Sequence, residues 1–117
     1  MNQRPIIIAV IGGSNAAQKD LDAAYQVGLE LAKRGAIVLC GGMTGVMEAV
    51  CKGAKDAGGT TVGIMPGNNV EDANDYIDIA IPTGLGYARN AIVARAGGAI
   101  IAIDGAYGTL SEIGFGL

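Results

Sequence analysis

Short apolar runs alternate with helical stretches along the chain, and this alternation limits the fold more than any other feature of the sequence. Five runs are rich in β-branched residues and too short for buried helices: Ile6–Ile11, Ile37–Cys40, Thr61–Met65, Ile77–Ile81 and Ala99–Ile103. Continuous apolarity is typical of strands that are covered on both faces. The sequence therefore predicts a mainly parallel five-stranded sheet inside a three-layer α/β sandwich.

The helical stretches between these runs all stop at glycine. We predict helices over Asp20–Arg34, Gly45–Ala57 and Tyr87–Ala96. Thr44 is expected to be the N-cap of the second helix. A fourth helical stretch begins at Thr109 and stops on Leu117 with no cap signal. We therefore expect that the chain is a truncated form of a longer protein, or that its end packs against a partner.

Length and composition exclude several classes of protein. The 117 residues have the length of one domain, so residues 1–117 are predicted to form a single domain. Half of the residues are hydrophobic and 16% are charged, which excludes a disordered chain. The chain has no histidine, so a Ser-His-Asp triad or a His-ligated metal cannot form within it. We predict no metal site and no required cofactor.

Charge and hydropathy also limit the location and the partners. Eight basic and eleven acidic residues give a net charge of −3, which disfavours nucleic acid as a partner. The apolar run Ile6–Ile11 ends at Gly12 with no good cleavage site, so it indicates a strand and not a signal peptide. No stretch approaches the roughly 18 apolar residues of a spanning helix. We expect a cytoplasmic protein with no membrane partner.

Glycine clusters mark the predicted carboxyl edge of the sheet. They begin at positions 12, 41, 63, 84 and 105, and each is expected to follow or close a strand. Backbone amides at helix starts bind anions, and glycine lets an anion approach them closely. Three clusters form candidate phosphate cradles, with the predicted ligand-binding residues Gly12, Gly13, Ser14, Gly41, Gly42, Thr44, Gly45, Gly105, Tyr107, Gly108 and Thr109. None matches the P-loop pattern, which disfavours nucleotide hydrolysis of that type.

Two further ligand-binding candidates, Arg89 and Asn90, open the third predicted helix beside Gly84–Gly86. A basic side chain at a helix start opposes the helix dipole, and a bound anion would explain it. An exposed arginine is the alternative, and spacing alone leaves both open.

Two other features each allow a structural and a functional interpretation. Thr109 and Glu112 match a capping box, so Glu112 either caps a helix or faces the cleft. The polar loop Pro66–Tyr76 is slightly more typical of a solvated connection than of a flap over the ligand edge. Cys40, at a strand end, is expected in the core.

Three motifs resemble one protein family. The segment Gly41-Gly42-Met43-Thr44-Gly45-Val46-Met47 resembles the Gly-Gly-x-x-Gly-Leu-Met turn of the LONELY GUY and "lysine decarboxylase-like" Rossmann proteins. Residues 104–112 resemble a variant of their Pro-Gly-Gly-x-Gly-Thr-x-x-Glu motif, and residues 83–90 are similar to the molybdenum cofactor carrier branch. The resemblance spans nearly the whole chain and implies a Rossmann-like fold.

The resemblance also implies two alternative functions. LONELY GUY enzymes cleave the N-glycosidic bond of adenine-type nucleoside 5′-monophosphates, and the resemblance would make Arg89 and Glu112 catalytic. This chain has Arg89-Asn90 where the enzymes usually have Arg-Lys, and Asp104-Gly105-Ala106 where they have Pro-Gly-Gly. We therefore expect a carrier or binding protein for a phosphorylated small molecule, either an AMP-like nucleotide or the molybdenum cofactor. The alternative is a phosphoribohydrolase.

The resemblance also suggests an assembly, a homodimer or homotetramer. Short helices rich in alanine and glycine leave apolar faces that a second copy could cover. The interface is predicted on the third helix around Ala91, Ile92 and Arg95.

Overall fold

The computed structural model of the chain describes residues 4–103. The strands are β1 (Ile7–Ile11), β2 (Ile37–Cys40), β3 (Thr61–Met65), β4 (Ile79–Pro82) and β5 (Ala99–Ala102). The α-helices are α1 (Gln18–Lys33), α2 (Val46–Asp56) and α3 (Asn90–Ala96). Two short 3-10 turns, Val70–Asp72 and Gly86–Arg89, lie before and after β4. No helix within residues 4–103 is long and apolar enough to cross a membrane.

The five strands form one sheet in the order β4-β3-β2-β1-β5, and every pairing is parallel. This confirms the predicted sheet. The chain steps outward from β1 to β4 and then returns to pair β5 with the other side of β1. The strand order therefore reverses at β1, and the carboxyl ends of β1 and β5 flank the crevice where open α/β sheets bind ligands.

Helices α1 and α2 cover one face of the sheet and pack closely on each other. Val10, Val38 and Cys40 point from the strands into the same core cluster as Val50 of α2. A Cβ at Gly28 would overlap the carbonyl oxygen of Val50. The two helix backbones therefore approach to a distance that only glycine allows.

The other face is covered by α3, which is only seven residues long. Val93 of α3 packs on Ala9, Ile11, Leu39 and Ile64. The helix therefore forms the third layer, as the sequence predicts.

Several boundaries differ from the sequence prediction. β4 begins at Ile79 and not at Ile77, because the Asp78 amide before it donates to Oγ1 of Thr61 over 2.8 Å. The helix predicted from Tyr87 begins at Asn90, and the residues before it form the 3-10 turn. The predicted fourth helix lies outside the described residues.

Two local predictions are wrong. Gly63 lies inside β3, paired with Ala80 of β4, so the third glycine cluster does not begin at the carboxyl edge. Thr44 is not the N-cap of α2, because Gly45 occupies that position with a φ of 72° and no side chain caps the helix. The positive φ strongly favours glycine there.

Candidate functional site

Two adjoining hollows open at the carboxyl edge of the sheet. The inner hollow, of about 200 Å³, lies at the end of β1 where the strand order reverses, and is lined by Val10, Ile11, Gly12, Gly13, Ser14, Gly41, Met47, Tyr87, Arg89, Asn90 and Val93. The outer hollow, of about 340 Å³, is lined by Ser14, Met43, Thr44, Pro66, Gly86, Tyr87 and Arg89. Ser14, Tyr87 and Arg89 belong to both, so the hollows form one continuous depression.

Arg89 is buried in this depression. Only 8% of the residue is exposed, and its Nη1 donates a hydrogen bond to Oδ1 of Asn90. A Cβ at Gly41 would lie 2.7 Å from Nη2 of Arg89, so glycine at position 41 makes room for the guanidinium. Of the two interpretations left open by the sequence, the exposed arginine is therefore wrong. Burying a cation is costly, so such a position indicates a specific role.

Hydrogen bonds from the end of β3 hold the segment that carries Arg89. The Oγ1 of Thr83 donates to the Met65 carbonyl over 2.7 Å. The amides of Gly84 and Gly86 donate to the carbonyls of Gly67 and Pro66, each over 2.9 Å. These bonds anchor the turn Gly86–Arg89 beside the edge of the sheet, so the arginine is positioned by tertiary contacts.

The first glycine turn, Gly12 and Gly13, is in close contact with the start of α2, which follows the second glycine turn. The Val46 amide, the first of α2, donates to the Gly13 carbonyl over 3.1 Å. A Cβ at Gly12 would lie 2.6 Å from both the Ile103 carbonyl oxygen and Cγ1 of Val46. Helix α1 begins only at Gln18, so Gly12 and Gly13 lie before the helix and not at its start. Glycine at position 12 is required by packing.

The structure brings most of the predicted ligand-binding residues together. Those that line the two hollows are Gly12, Gly13, Ser14, Gly41, Thr44, Arg89 and Asn90. Gly42 and Gly45 do not line the two hollows. Gly45 instead lines a separate groove with Leu21 and Lys52. The candidates Gly105, Tyr107, Gly108, Thr109 and Glu112 lie outside the described residues.

Sequence reasoning missed the apolar part of the lining, which consists of Val10, Ile11, Met43, Met47, Pro66, Tyr87 and Val93. It also missed the hydrogen bonds that hold the polar loop Pro66–Tyr76 in place. The amide of Asn74 donates to the Gly42 carbonyl over 2.9 Å, and its Nδ2 donates to the Met43 carbonyl over 2.7 Å. The loop is therefore pinned to the second glycine turn, and the tendency of asparagine to bond nearby backbone was the available signal.

The two cysteines lie beneath the second glycine turn, and both are buried, as expected for Cys40. Their Sγ atoms are 3.6 Å apart, and the Gly42 amide donates to Sγ of Cys40 over 3.3 Å. The pKa of Cys40 is lowered by its hydrogen bond with Cys51, with smaller contributions from the Gly42 amide and the positive charge of Arg89. The same hydrogen bond and burial raise the pKa of Cys51. Cys51 is therefore a protonated core thiol.

A doubly covered parallel sheet, with glycine turns and a buried arginine where its strand order reverses, defines a Rossmann-like protein of the LONELY GUY class. The chain belongs to the SLOG cluster4 family, whose sequence profile matches residues 5–117. This assignment confirms the resemblance carried by the sequence motifs.

Two solved structures and one enzyme illustrate the similarity. The molybdenum cofactor binding protein of Rippkaea orientalis is 44% identical with a TM-score of 0.94, over 98% of this chain and 72% of that one. The molybdenum cofactor carrier protein of Chlamydomonas reinhardtii is 39% identical with a TM-score of 0.86, over 97% and 70% of the two chains. A cytokinin riboside 5′-monophosphate phosphoribohydrolase of Mycobacterium tuberculosis is 36% identical over 80% of this chain. The chain spans about half of that enzyme, 51% of its length.

Proposed function

We propose that this protein binds and carries a phosphorylated small molecule, an AMP-like nucleotide or the molybdenum cofactor, in the depression at the carboxyl edge of its sheet. The observation that carries the proposal is the burial of Arg89 between the two glycine turns. Among the described residues that line the two hollows, Arg89 is the charged one.

The chemistry of the lining suits a phosphate group. A guanidinium binds phosphate oxygens through paired hydrogen bonds, which are stronger than those between neutral groups. The hydroxyl of Ser14 lines both hollows and can donate to the same group. The whole chain carries a net charge of −3, so the attraction for an anion has to be local. Arg89 supplies that local charge.

A carrier role is supported by the similarity to the two molybdenum cofactor proteins and by the departures from the enzyme motifs. Asn90 follows Arg89 where the enzymes usually have a lysine. In this structure Asn90 accepts a hydrogen bond from the arginine, which orients the guanidinium without adding a second positive charge. Such a site holds an anion but lacks one of the cations that the enzymes use.

Titration calorimetry with AMP and with molybdenum cofactor tests the proposal. Arg89→Ala should weaken binding by about 30-fold or more, because a charged hydrogen-bonding partner of the phosphate is lost. Arg95→Ala is the matched control, because Arg95 is an exposed arginine of α3, the helix that follows Arg89, lines neither hollow and should leave binding unchanged. Failure of the intact protein to bind any phosphorylated compound would refute the carrier role.

The second candidate is the phosphoribohydrolase, favoured by the similarity to the Mycobacterium tuberculosis enzyme. Arg89 would orient the ribose, and Glu112 would stabilise the positive charge that develops at the anomeric carbon. Chromatography should then detect free adenine released from AMP, and the release should stop in Glu112→Ala. Binding of AMP without any release of adenine would leave the carrier role alone.

We also propose that the protein assembles from identical chains. We expect a homodimer or homotetramer formed through the face of α3, where Ala91 and Arg95 are exposed and 39% of Ile92 is exposed. Ile79 and Ile81 of β4 extend an exposed apolar surface on that side of the sheet. Light scattering should give a mass of two or four chains, and Ile92→Asp should lower it. A stable monomer would contradict this expectation.

A further inference from the structure

We propose that Tyr87 is a specificity-determining residue, and that its ring stacks on the planar heterocycle of the phosphorylated ligand. Together with Met43 and Pro66 it forms what we call the ring subsite, in the outer hollow. The inference rests on the proposed function and goes beyond it, since it says which part of the ligand lies in which hollow.

The first observation is the position of the Tyr87 side chain. It is 90% exposed, more than any other large hydrophobic residue in the described part of the chain. Its backbone is nevertheless held, because the turn Gly86–Arg89 is bonded to the end of β3 through Gly86 and Pro66. The anchored turn keeps the ring at the mouth of the two hollows, and its large exposed apolar surface would be covered when it stacks on a ligand.

The second observation is the difference in chemistry between the two hollows. Asn90 and the glycines at positions 12, 13 and 41 line only the inner hollow, of about 200 Å³, together with the apolar side chains of Val10, Ile11, Met47 and Val93, and its polar groups suit a phosphate. The outer hollow, of about 340 Å³, adds the apolar side chains of Met43 and Pro66. Apolar and aromatic walls with a few polar groups are typical of the part of a site that receives an organic ring.

The third observation is that the two hollows share Tyr87, Arg89 and Ser14. One ligand can therefore span both, with its phosphate at Arg89 and its ring at Tyr87. Because every planar aromatic heterocycle presents a π face, stacking tolerates different bases. A pterin and a purine can both stack at this subsite, whereas a sugar phosphate without an aromatic base fills only the inner hollow.

Calorimetry with three probes tests the ring subsite: AMP, GMP and ribose 5-phosphate. The intact protein should bind both nucleotides about ten-fold more tightly than ribose 5-phosphate. Tyr87→Ala should remove this advantage and leave the affinity for ribose 5-phosphate unchanged, whereas Tyr87→Phe should preserve it. Leu85→Ala is the matched control, since Leu85 is 52% exposed on the same segment but lines neither hollow.

A spectroscopic measurement gives an independent readout. The chain has no tryptophan, so Tyr87→Trp introduces a single indole at the ring subsite. Stacking should quench its fluorescence when AMP or GMP is added and not when ribose 5-phosphate is added. The exposed position of Tyr87 makes loss of folding an improbable cause of any effect, and a thermal melt of each variant checks this.

The outcomes separate the two proposals. If ribose 5-phosphate and the nucleotides bind equally well, or if Tyr87→Ala weakens all three to the same degree, the ring subsite is wrong and the phosphate site stands. If none of the probes binds to the intact protein, the proposed function fails and the ring subsite fails with it.

Discussion

The two faces of the sheet differ in how closely they are packed. On the face of α1 and α2, the helices touch through glycine, and Val10, Val38 and Val50 are wholly buried. On the face of α3, a helix of seven residues covers the central strands, while Ile79 and Ile81 at the edge are 50% and 44% exposed. Within residues 4–103, the first face is therefore closely packed, and the edge of the second is left partly exposed.

Because of this difference, we expect one face of the sheet to provide most of the stability and the other to provide the binding residues. The closely packed face anchors the strands whose carboxyl ends carry the first two glycine turns. The segment on the open face, from Gly86 to Ala96, supplies Tyr87, Arg89 and Asn90 to the depression. Elements that bind ligands are commonly the less stable parts of a fold. We therefore expect substitutions on the first face to cost stability and those near Arg89 to cost binding.

The largest effect is expected where α1 meets α2. In Gly53→Ala the new methyl group would overlap the carbonyl of Tyr25, and moving the helices apart should cost about 3 kcal/mol of unfolding free energy. That loss outweighs the roughly 1 kcal/mol by which alanine favours a helix over glycine. Urea denaturation measures the change. Gly67→Ala is the control, since its methyl group would meet nothing closer than 3.6 Å, and an equal loss in both variants would contradict the argument.

A smaller effect is expected when one substitution is made on each face of the sheet and the two losses of stability are compared. Met65 of β3 is fully buried on the side of α2, and Met65→Ala should lower the free energy of unfolding by about 2 kcal/mol, because it leaves a cavity. Ile81 of β4 is on the opposite face, and Ile81→Ala should cost less than about 1 kcal/mol, because nearly half of the residue is already in water. Equal costs in thermal or urea unfolding would show that the open face is covered in solution.

The smallest effect concerns pH. Partial burial alone would raise the pKa of Asp78, but hydrogen bonds from Nζ of Lys55 and from Thr61 lower it overall. A carboxyl group with a lowered pKa stabilises the fold above its unfolded pKa of about 3.9, and this stability is lost as the pH falls through the lower folded value. Asp78→Asn should cost less than about 1 kcal/mol at pH 7, because solvent screens a pair that is about one-third exposed.

The measurement for Asp78 is a series of urea unfolding curves from pH 7 down to pH 3. The difference between the wild type and Asp78→Asn should begin to shrink below about pH 4, where the unfolded carboxyl takes up a proton, and should vanish as the pH falls through the lower folded pKa. Glu71→Gln, at an exposed position in the loop, is the control. A difference that stays constant over the whole range would contradict the assigned role of the carboxylate.

The parallel sheet and the glycine and polar part of the lining could be predicted from the sequence because they depend on local patterns. Uninterrupted apolar runs between amphipathic helices specify strands covered on both faces, and glycine after β1 and β2 marks their carboxyl ends. The capping of α2 was predicted wrongly for a physical reason. Threonine is a good cap in isolation, but the contact between Gly45 and the Ser14 carbonyl, where a Cβ would lie 2.5 Å away, decides the backbone there.

The sequence by itself determined the class of fold, the edge that carries the glycine turns and the residues that could meet an anion. Only the tertiary structure decided that Arg89 is buried against Gly41 and that Tyr87 stands exposed beside it. The reason is that strands and helices follow from the periodicity of neighbouring residues. The placement of Arg89 depends instead on hydrogen bonds between β3 and a turn that follows β4, which no local pattern encodes.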